Sequence, residues 1–193
     1  MSQETRVTLL QRLRNRQDEA SWADFAGYYL PFIRAVLRQL GAASSDLEDL
    51  SQEVLLRAWK ALPEFTYQEG RCQFRTWLGQ LCRYSLLNSI RHEKTKSRQQ
   101  PASFTVPEST DPEIEAIAEQ EWQTYISQLA WSNIRERFTE SVQQSFLLSA
   151  EGLTSVEIAK RLNLAESSVR VNKQRLTAAL CKEIVRLDNE LQR

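Results

Sequence analysis

Residues 154–178 read TSVEIAKRLNLAESSVRVNKQRLTA, two short runs of helically spaced apolar residues separated by a break at Asn163. Val156, Ile158, Ala159 and Leu162 put an apolar stripe on a first helix, and small Ala159 lets a second helix cross closely above it. Asn163 tolerates the left-handed backbone that ends a helix sharply, and Leu164 fills the gap that follows. Ser167 or Ser168 is placed to cap the second helix, whose inner face is Val169, Leu176 and Leu180. Ser167, Ser168, Arg170, Asn172, Lys173 and Arg175 are then expected to face outward. Hydroxyls, an amide and cations on one helical face suit the base edges and phosphates of a major groove, so the pattern is that of a helix-turn-helix. An ordinary helical hairpin with a solvated outer face has the same periodicity, and this stretch alone leaves both open.

Outward from that stretch the chain stays helical in character. Its 193 residues include only five glycines and five prolines, among long runs of Leu, Ala, Glu, Gln, Arg and Lys. The expectation is an all-α protein of two small helical domains joined by a flexible linker, the C-terminal one a helix-turn-helix. No apolar run approaches the roughly 20 residues that span a bilayer, and the first residues, MSQETRVTLLQRL, lack a signal peptide's apolar core. A cytoplasmic protein without membrane insertion is therefore expected. Cys72, Cys82 and Cys181 are odd in number and widely spaced, which suggests neither a disulfide framework nor a zinc site.

The formal net charge is zero, but the charges are segregated. Arg83, Arg91, Lys94, Lys96 and Arg98 form one basic run, and Lys160, Arg161, Arg170, Lys173, Arg175, Lys182 and Arg186 dominate the C-terminal end. Between them lie Glu108, Asp111, Glu113, Glu115, Glu119 and Glu121, uninterrupted by Lys or Arg. Two basic surfaces separated by an acidic connector fit a bipartite nucleic-acid binder whose linker avoids the phosphates.

Apolar spacing predicts a short helix from Thr5 to about Asn15, then one opened by Trp22, Phe25, Tyr28 and Tyr29 that runs past Pro31 to Leu40 and Gly41. Ser45 or Asp46 is placed to cap a third, carrying Leu47, Leu50, Val54, Ala58 and Leu62 until Pro63 stops it. Residues 64–73 read as a loop in which Gly70 permits a tight turn. A fourth helix, Phe74 to about Glu93, is expected to carry Phe74, Trp77, Leu78, Leu81 and Ile90 inward. The domain boundaries that follow are 1–93, a linker over 94–111, and 112–193. In the last of these, Asp111 caps a helix with Ile114, Ile117, Trp122 and Ile126, and a further helix covers Glu140–Ala150 before Gly152.

In order, WADFAGYYLPFIRAVLRQLG, DLEDLSQEVLLRAWKALPEF, FRTWLGQLCRYSLLNSIR, a linker and a C-terminal helix-turn-helix resemble the extracytoplasmic-function (ECF) group of bacterial sigma factors. The resemblance covers about residues 5 to 185. It implies a non-enzymatic transcription initiation factor without cofactor or metal, whose partners are core RNA polymerase, promoter DNA and an inhibitory anti-sigma factor. It also implies that the helix at Asp46–Leu62 docks on polymerase through Asp49, Gln52, Glu53, Leu56 and Trp59. An acidic and amide ridge beside exposed large side chains combines a central anchor with charged rim contacts.

The resemblance further implies that the loop and helix over Tyr67–Arg91 capture an unpaired base of the −10 element and hold the melted strand. Stacking planes, polar edges and cations for that task come from Tyr67, Arg71, Gln73, Arg75, Arg83, Tyr84, Asn88 and Arg91. Phe74 and Trp77 belong to the core stripe. The family usually has Asn where Tyr84 stands and Asp where Asn88 stands. For the −35 duplex the implied readers are Ser167, Ser168, Arg170, Asn172, Lys173 and Arg175, with Arg170 on guanine or phosphate and Asn172 on adenine. LAWSNIRERFTESVQQSF departs from the Leu-Pro turn common in the family, which makes the packing of Trp131, Ile134 and Phe138 particular to this chain.

Two other readings stay open. A stand-alone helix-turn-helix regulator would bind DNA without polymerase. A metal-dependent nucleic-acid enzyme would need Asp46, Glu48, Asp49 and Glu53 as its centre, but no histidine or second carboxylate cluster completes a site there. His92, the only histidine, lies at the basic end of a helix, and a redox role for Cys72 is not legible from sequence.

Overall fold

The computed structural model describes residues 9–13, 18–62, 73–95 and 111–192. They form α1 (Leu9–Arg12), α2 (Glu19–Gln39), α3 (Leu47–Ala61), α4 (Phe74–Thr95), α5 (Pro112–Ile134), α6 (Glu140–Ala150), α7 (Ser155–Leu162) and α8 (Glu166–Gln192), with a 3-10 turn at Arg135–Arg137. No strand occurs among the described residues, so the fold is all-α as expected.

Two compact units divide the chain, residues 1–125 with 190–193, and residues 126–189. In the first unit α2 starts earlier than its aromatic run suggests, because Asp18 caps it. The Asp18 carboxylate accepts from the Ser21 backbone N–H at 3.0 Å and from the Ser21 hydroxyl at 2.6 Å. Pro31 lies inside α2 on an exposed position, and the helix continues through it to Gln39. The buried stripe of α2 (Phe25, Tyr29, Phe32, Ile33, Val36, Leu37) meets Leu50, Val54 and Ala58 of α3 and Phe74, Trp77, Leu78 and Leu81 of α4.

Aromatic rings supply much of this core's area. The Tyr29 ring lies 4.6 Å from that of Phe25 and 5.2 Å from that of Phe74, which is 5.2 Å from Trp77. Burying each such side chain contributes about 1.5–3 kcal/mol. The thiol of Cys82 is buried in α4 and its pKa is raised by desolvation, so it is held as an inert thiol.

Three local expectations fail here. Asp46 precedes α3 without capping it; its carboxylate accepts instead from the Ser45 hydroxyl at 2.7 Å. Ile90, expected inward, is exposed, because it falls off the face that carries Phe74, Trp77, Leu78 and Leu81. The third concerns the acidic connector. Residues 96–110 lie outside the described residues, but Asp111–Tyr125 belong to the first unit, and the division falls inside α5 rather than at residue 112. Trp122 explains why, since its ring stacks on Tyr29 at 6.1 Å and meets Phe32 edge-on at 5.5 Å.

In the second unit α6, α7 and the start of α8 enclose Leu148, Ile158 and Val169, with Leu153, Ala159, Leu162 and Leu164 packed around them. Trp131 stacks on Phe146 at 5.6 Å, and Ile134 is buried. Among the described residues, no helix is long and apolar enough to cross a membrane.

Candidate nucleic-acid interface

Local chemistry builds the turn between α7 and α8. Thr154 and Glu157 form a capping box: the Thr154 hydroxyl accepts from the Glu157 N–H at 3.3 Å, and the Glu157 carboxylate accepts from the Thr154 N–H at 2.8 Å. The Thr154 hydroxyl also donates to that carboxylate at 2.7 Å, and this bond, ahead of the one from the Thr154 N–H, holds the Glu157 carboxyl below its ordinary pKa. At the other end Asn163 adopts φ 52°, ψ 47°, the left-handed conformation expected of it, and the Leu164 N–H donates to the Ala159 carbonyl at 2.9 Å. Val156 is not part of the apolar stripe: it is 48% exposed, two residues and therefore more than half a turn from Ile158.

α8 begins at Glu166, so Ser167 and Ser168 lie in its first turn rather than at its cap. Both are exposed, as are Arg170 and Arg175. Arg170 is held by Glu166 at 2.5 Å, an exposed pair one turn apart. Lys173 is half-buried. Asn172, expected outward, is half-buried too, and its amide donates to the Ser145 hydroxyl of α6 over 3.4 Å. Positions 169, 172 and 176 share one face at spacings of three and four, which puts Asn172 between buried Val169 and Leu176. The same geometry reveals two residues the sequence reading passed over. Val171, 51% exposed, and Gln174 share the outer face with Ser167, Ser168 and Arg175.

On α3, Leu50, Val54 and Ala58 point into the core while Asp49, Gln52, Leu56 and Trp59 form an exposed ridge at helical spacing. Leu56 is 50% exposed, and Trp59 meets Trp22 edge-on at 6.4 Å. Glu53 is half-buried and binds Arg57 at 3.0 and 2.5 Å; the Arg57 guanidinium in turn lies 4.9 Å from the centre of the Tyr84 ring. The Gln52 amide donates to Glu48 at 3.3 Å, which with Arg34 keeps the Glu48 carboxyl below its ordinary pKa.

The residues expected to hold the melted strand do not form one face. Tyr67, Arg71 and Cys72 lie outside the described residues, as does the side chain of His92. Gln73 is exposed at the start of α4. Tyr84 leans toward α3 beneath Arg57. Half-buried Asn88 and exposed Arg91 sit on the last turns beside exposed Leu87 and Ile90. Arg75 and Arg83, two turns apart, lie on the face covered by α5, where Arg75 pairs with Glu119 and Arg83 with Asp111. Between them Gly79 brings the backbone close: a Cβ there would stand 3.2 Å from Ala118 Cβ and from Ile114 Cγ2. Asp111 also accepts from the Glu113 N–H at 3.0 Å, which, ahead of the Arg83 charge, lowers its pKa.

A cavity of about 330 Å³ in the second unit is lined by Ile134, Arg137, Phe138, Ala179, Lys182, Glu183 and Arg186. Glu183 is held there by Arg186, at 2.9 and 2.7 Å, and by the Asn133 amide at 2.9 Å. Its pKa falls to about 2. Among the described residues, no group of three or more His, Cys, Asp or Glu is arranged to hold a metal ion.

A helix-turn-helix unit and a separate helical unit with an exposed acidic and aromatic ridge define a class, the two-part all-α protein with a helix-turn-helix. Comparison with known proteins narrows it. Residues 25–96 match the family described as Sigma-70 region 2. The ECF RNA polymerase sigma factor RpoE of Cereibacter sphaeroides is 22% identical over 172 residues, 85% of this chain and 92% of that protein. The ECF RNA polymerase sigma factor SigG of Mycobacterium tuberculosis is 34% identical over 101 residues, 51% of this chain but only 26% of its own length. A solved structure described as CnrH in complex with the cytosolic domain of CnrY covers 90% of this chain and 93% of its own, at 17% identity and a TM-score of 0.36. The chain therefore carries a Sigma-70 region 2 match over residues 25–96 and is similar to ECF RNA polymerase sigma factors.

Proposed function

We propose that the chain is an ECF sigma factor that docks on core RNA polymerase through the α3 ridge and directs it to promoters by contacting two DNA elements. Asp49, Gln52, Leu56 and Trp59 supply the docking contact, with Glu53 ordering Arg57 beside it. Leu56 is the observation that carries this reading: an aliphatic side chain 50% exposed at the centre of a polar ridge, whose solvation costs nothing to give up on binding.

For the melted −10 strand the contributing residues are Gln73, Arg75, Arg83, Tyr84, Asn88 and Arg91, together with Tyr67 and Arg71 of the preceding segment. For the −35 duplex they are Ser167, Ser168, Arg170, Lys173 and Arg175, each suited to phosphates or base edges. Asn172 serves this surface indirectly by fixing α8 on α6, while Val171 adds an apolar contact suited to a thymine methyl. The first unit then serves the polymerase and −10 contacts and the second unit the −35 contact, and promoter affinity comes from linking two weak sites. An anti-sigma factor fits as a partner that occludes these faces. No catalytic role is assigned to the chain.

Reconstitution with purified core polymerase on a promoter library tests the reading. Polymerase-dependent binding and strand opening are expected. Tight, palindromic binding by the chain alone, with no polymerase association, would instead identify a stand-alone regulator.

A further inference from the structure

Two of the arginines assigned above to the melted strand face carboxylates of this same chain. The pairs follow one register: Arg75 with Glu119, Gly79 against Ala118 and Ile114, Arg83 with Asp111. Residue numbers rise along α4 as they fall along α5, so the first half of α5 runs antiparallel to α4 and lies along its 75, 79, 83 face. Packing at Gly79 fixes the separation, and Gln39 bonding to Glu121 at 2.9 Å and the Tyr125 hydroxyl donating to the Tyr28 carbonyl fasten the same half-helix to α2. Behind Glu119 the Arg75 side chain is only 13% exposed. A phosphate binding that guanidinium would have to take the place of the Glu119 carboxylate.

We propose that the Asp111–Tyr125 segment is an internal competitor of single-stranded DNA, its carboxylates occupying Arg75 and Arg83 until the melted strand displaces them. The inference rests on the strand-binding role given to Arg75 and Arg83 above. A carboxylate and a phosphate make the same charge-assisted contact with a guanidinium, so the two anions exclude one another at each arginine. From Pro112 to Ile134 the helix contains no Lys or Arg of its own, so exposed Glu113 and Glu115 add further negative charge along the approach of a strand. The Arg83–Asp111 pair, exposed on both sides, is weak and exchanges readily, while the more buried Arg75–Glu119 pair is the firmer half of the clasp. Its consequence is a free factor with little affinity for single strands, and one that gains affinity once polymerase and an opened promoter supply phosphates in place of the carboxylates.

The test compares the full chain with the double variant Asp111→Asn, Glu119→Gln, using a fluorescent single-stranded DNA pool of random sequence. About tenfold tighter binding by the variant at low salt, with a steeper salt dependence, is expected. Adding Arg75→Gln and Arg83→Gln to the variant should erase that gain. A gain that survives the arginine changes reflects only reduced repulsion and overturns the clasp, as does an unchanged affinity. A second measurement needs no variant: amide hydrogen exchange over residues 112–125 of the wild-type chain should accelerate when polymerase and promoter are added, and unaltered protection in an opened complex overturns the proposal. If that wild-type assembly opens promoters while the clasp tests fail, the strand-binding reading stands without the clasp. If it opens none, both fall.

Discussion

Asn172 on α8 reaches across to Ser145 on α6, amide to hydroxyl over 3.4 Å, and the Ser145 hydroxyl passes its own proton to the Ser141 carbonyl at 2.6 Å. This chain of bonds ties α8 to α6. Asn172→Ala should therefore lower the unfolding free energy by about 1 kcal/mol, measured by urea denaturation, and leave the −35 base preference unchanged. Arg175→Ala should do the reverse, weakening duplex binding with no loss of stability. A changed base preference in the Asn172 variant would show that its amide leaves Ser145 to read DNA.

Val171 offers a test at the level of a single methyl group. Replacing thymine by uracil in the preferred −35 site removes only the 5-methyl, and at one position this should weaken holoenzyme binding severalfold. The Val171→Ala protein should be indifferent to that replacement, because the partner of the methyl is gone. Equal sensitivity of both proteins at every thymine would remove Val171 from the readout.

Glu183 makes the second unit acid-labile in a defined window. Its folded-state pKa of about 2 lies below its ordinary value of 4.5, chiefly because Arg186 and then Asn133 bond the ionised carboxylate. Ionisation thus favours the folded state, and the contribution is complete above about pH 4.5 and lost as pH falls toward 2. Stability measured by denaturant should drop across that interval, and Glu183→Gln should flatten the drop while lowering stability at neutral pH.

Legibility from sequence followed the range of the interactions. The helix-turn-helix was readable because its determinants are local, a left-handed Asn163 and a stripe from Ile158 to Leu176; the Thr154–Glu157 capping box is just as local but went unread. The α3 ridge was equally readable, since Leu50, Val54 and Ala58 identify the inner face and Asp49, Gln52, Leu56 and Trp59 follow as the outer one. What periodicity could not reveal was pairing between distant segments. Arg75 and Glu119 are 44 positions apart, and nothing in either neighbourhood announces that the acidic stretch folds back on α4. The helix after Asp111 was legible from Ile114, Trp122 and Ile126; that its first half packs on α4, where Ala118 meets Gly79, was not. The misplacement of Asn172 had a different origin. A polar side chain was assigned outward by its chemistry, although its position between Val169 and Leu176 put it on the inner face.

Gly79 sets how closely α4 and α5 approach. Gly79→Ala gains roughly 1 kcal/mol of helix propensity but places a Cβ 3.2 Å from both Ala118 and Ile114, so the two effects should nearly cancel. Gly79→Val adds further atoms and loses helix propensity, and should destabilise the first unit by about 1–3 kcal/mol in urea titration. A Val variant as stable as the parent would mean that the helices separate at no cost, and the register of the Arg75 and Arg83 pairs would lose its support.

The docking assignment is best challenged at Leu56 rather than Trp59. Trp59 packs edge-on against Trp22, so its removal disturbs the first unit as well as any partner contact. Leu56 is exposed, and Leu56→Asp should leave the melting temperature nearly unchanged while adding an unpaired charge where an apolar contact forms. Polymerase affinity should fall at least about tenfold, a loss typical of a central interface anchor. Because Asp49 and Gln52 sit on the rim, Asp49→Asn should cost less and act mainly on the association rate at low salt. If Leu56→Asp binds polymerase as the parent does, the contact lies elsewhere on the chain, and the exposed aliphatic on α3 is an unremarkable surface residue.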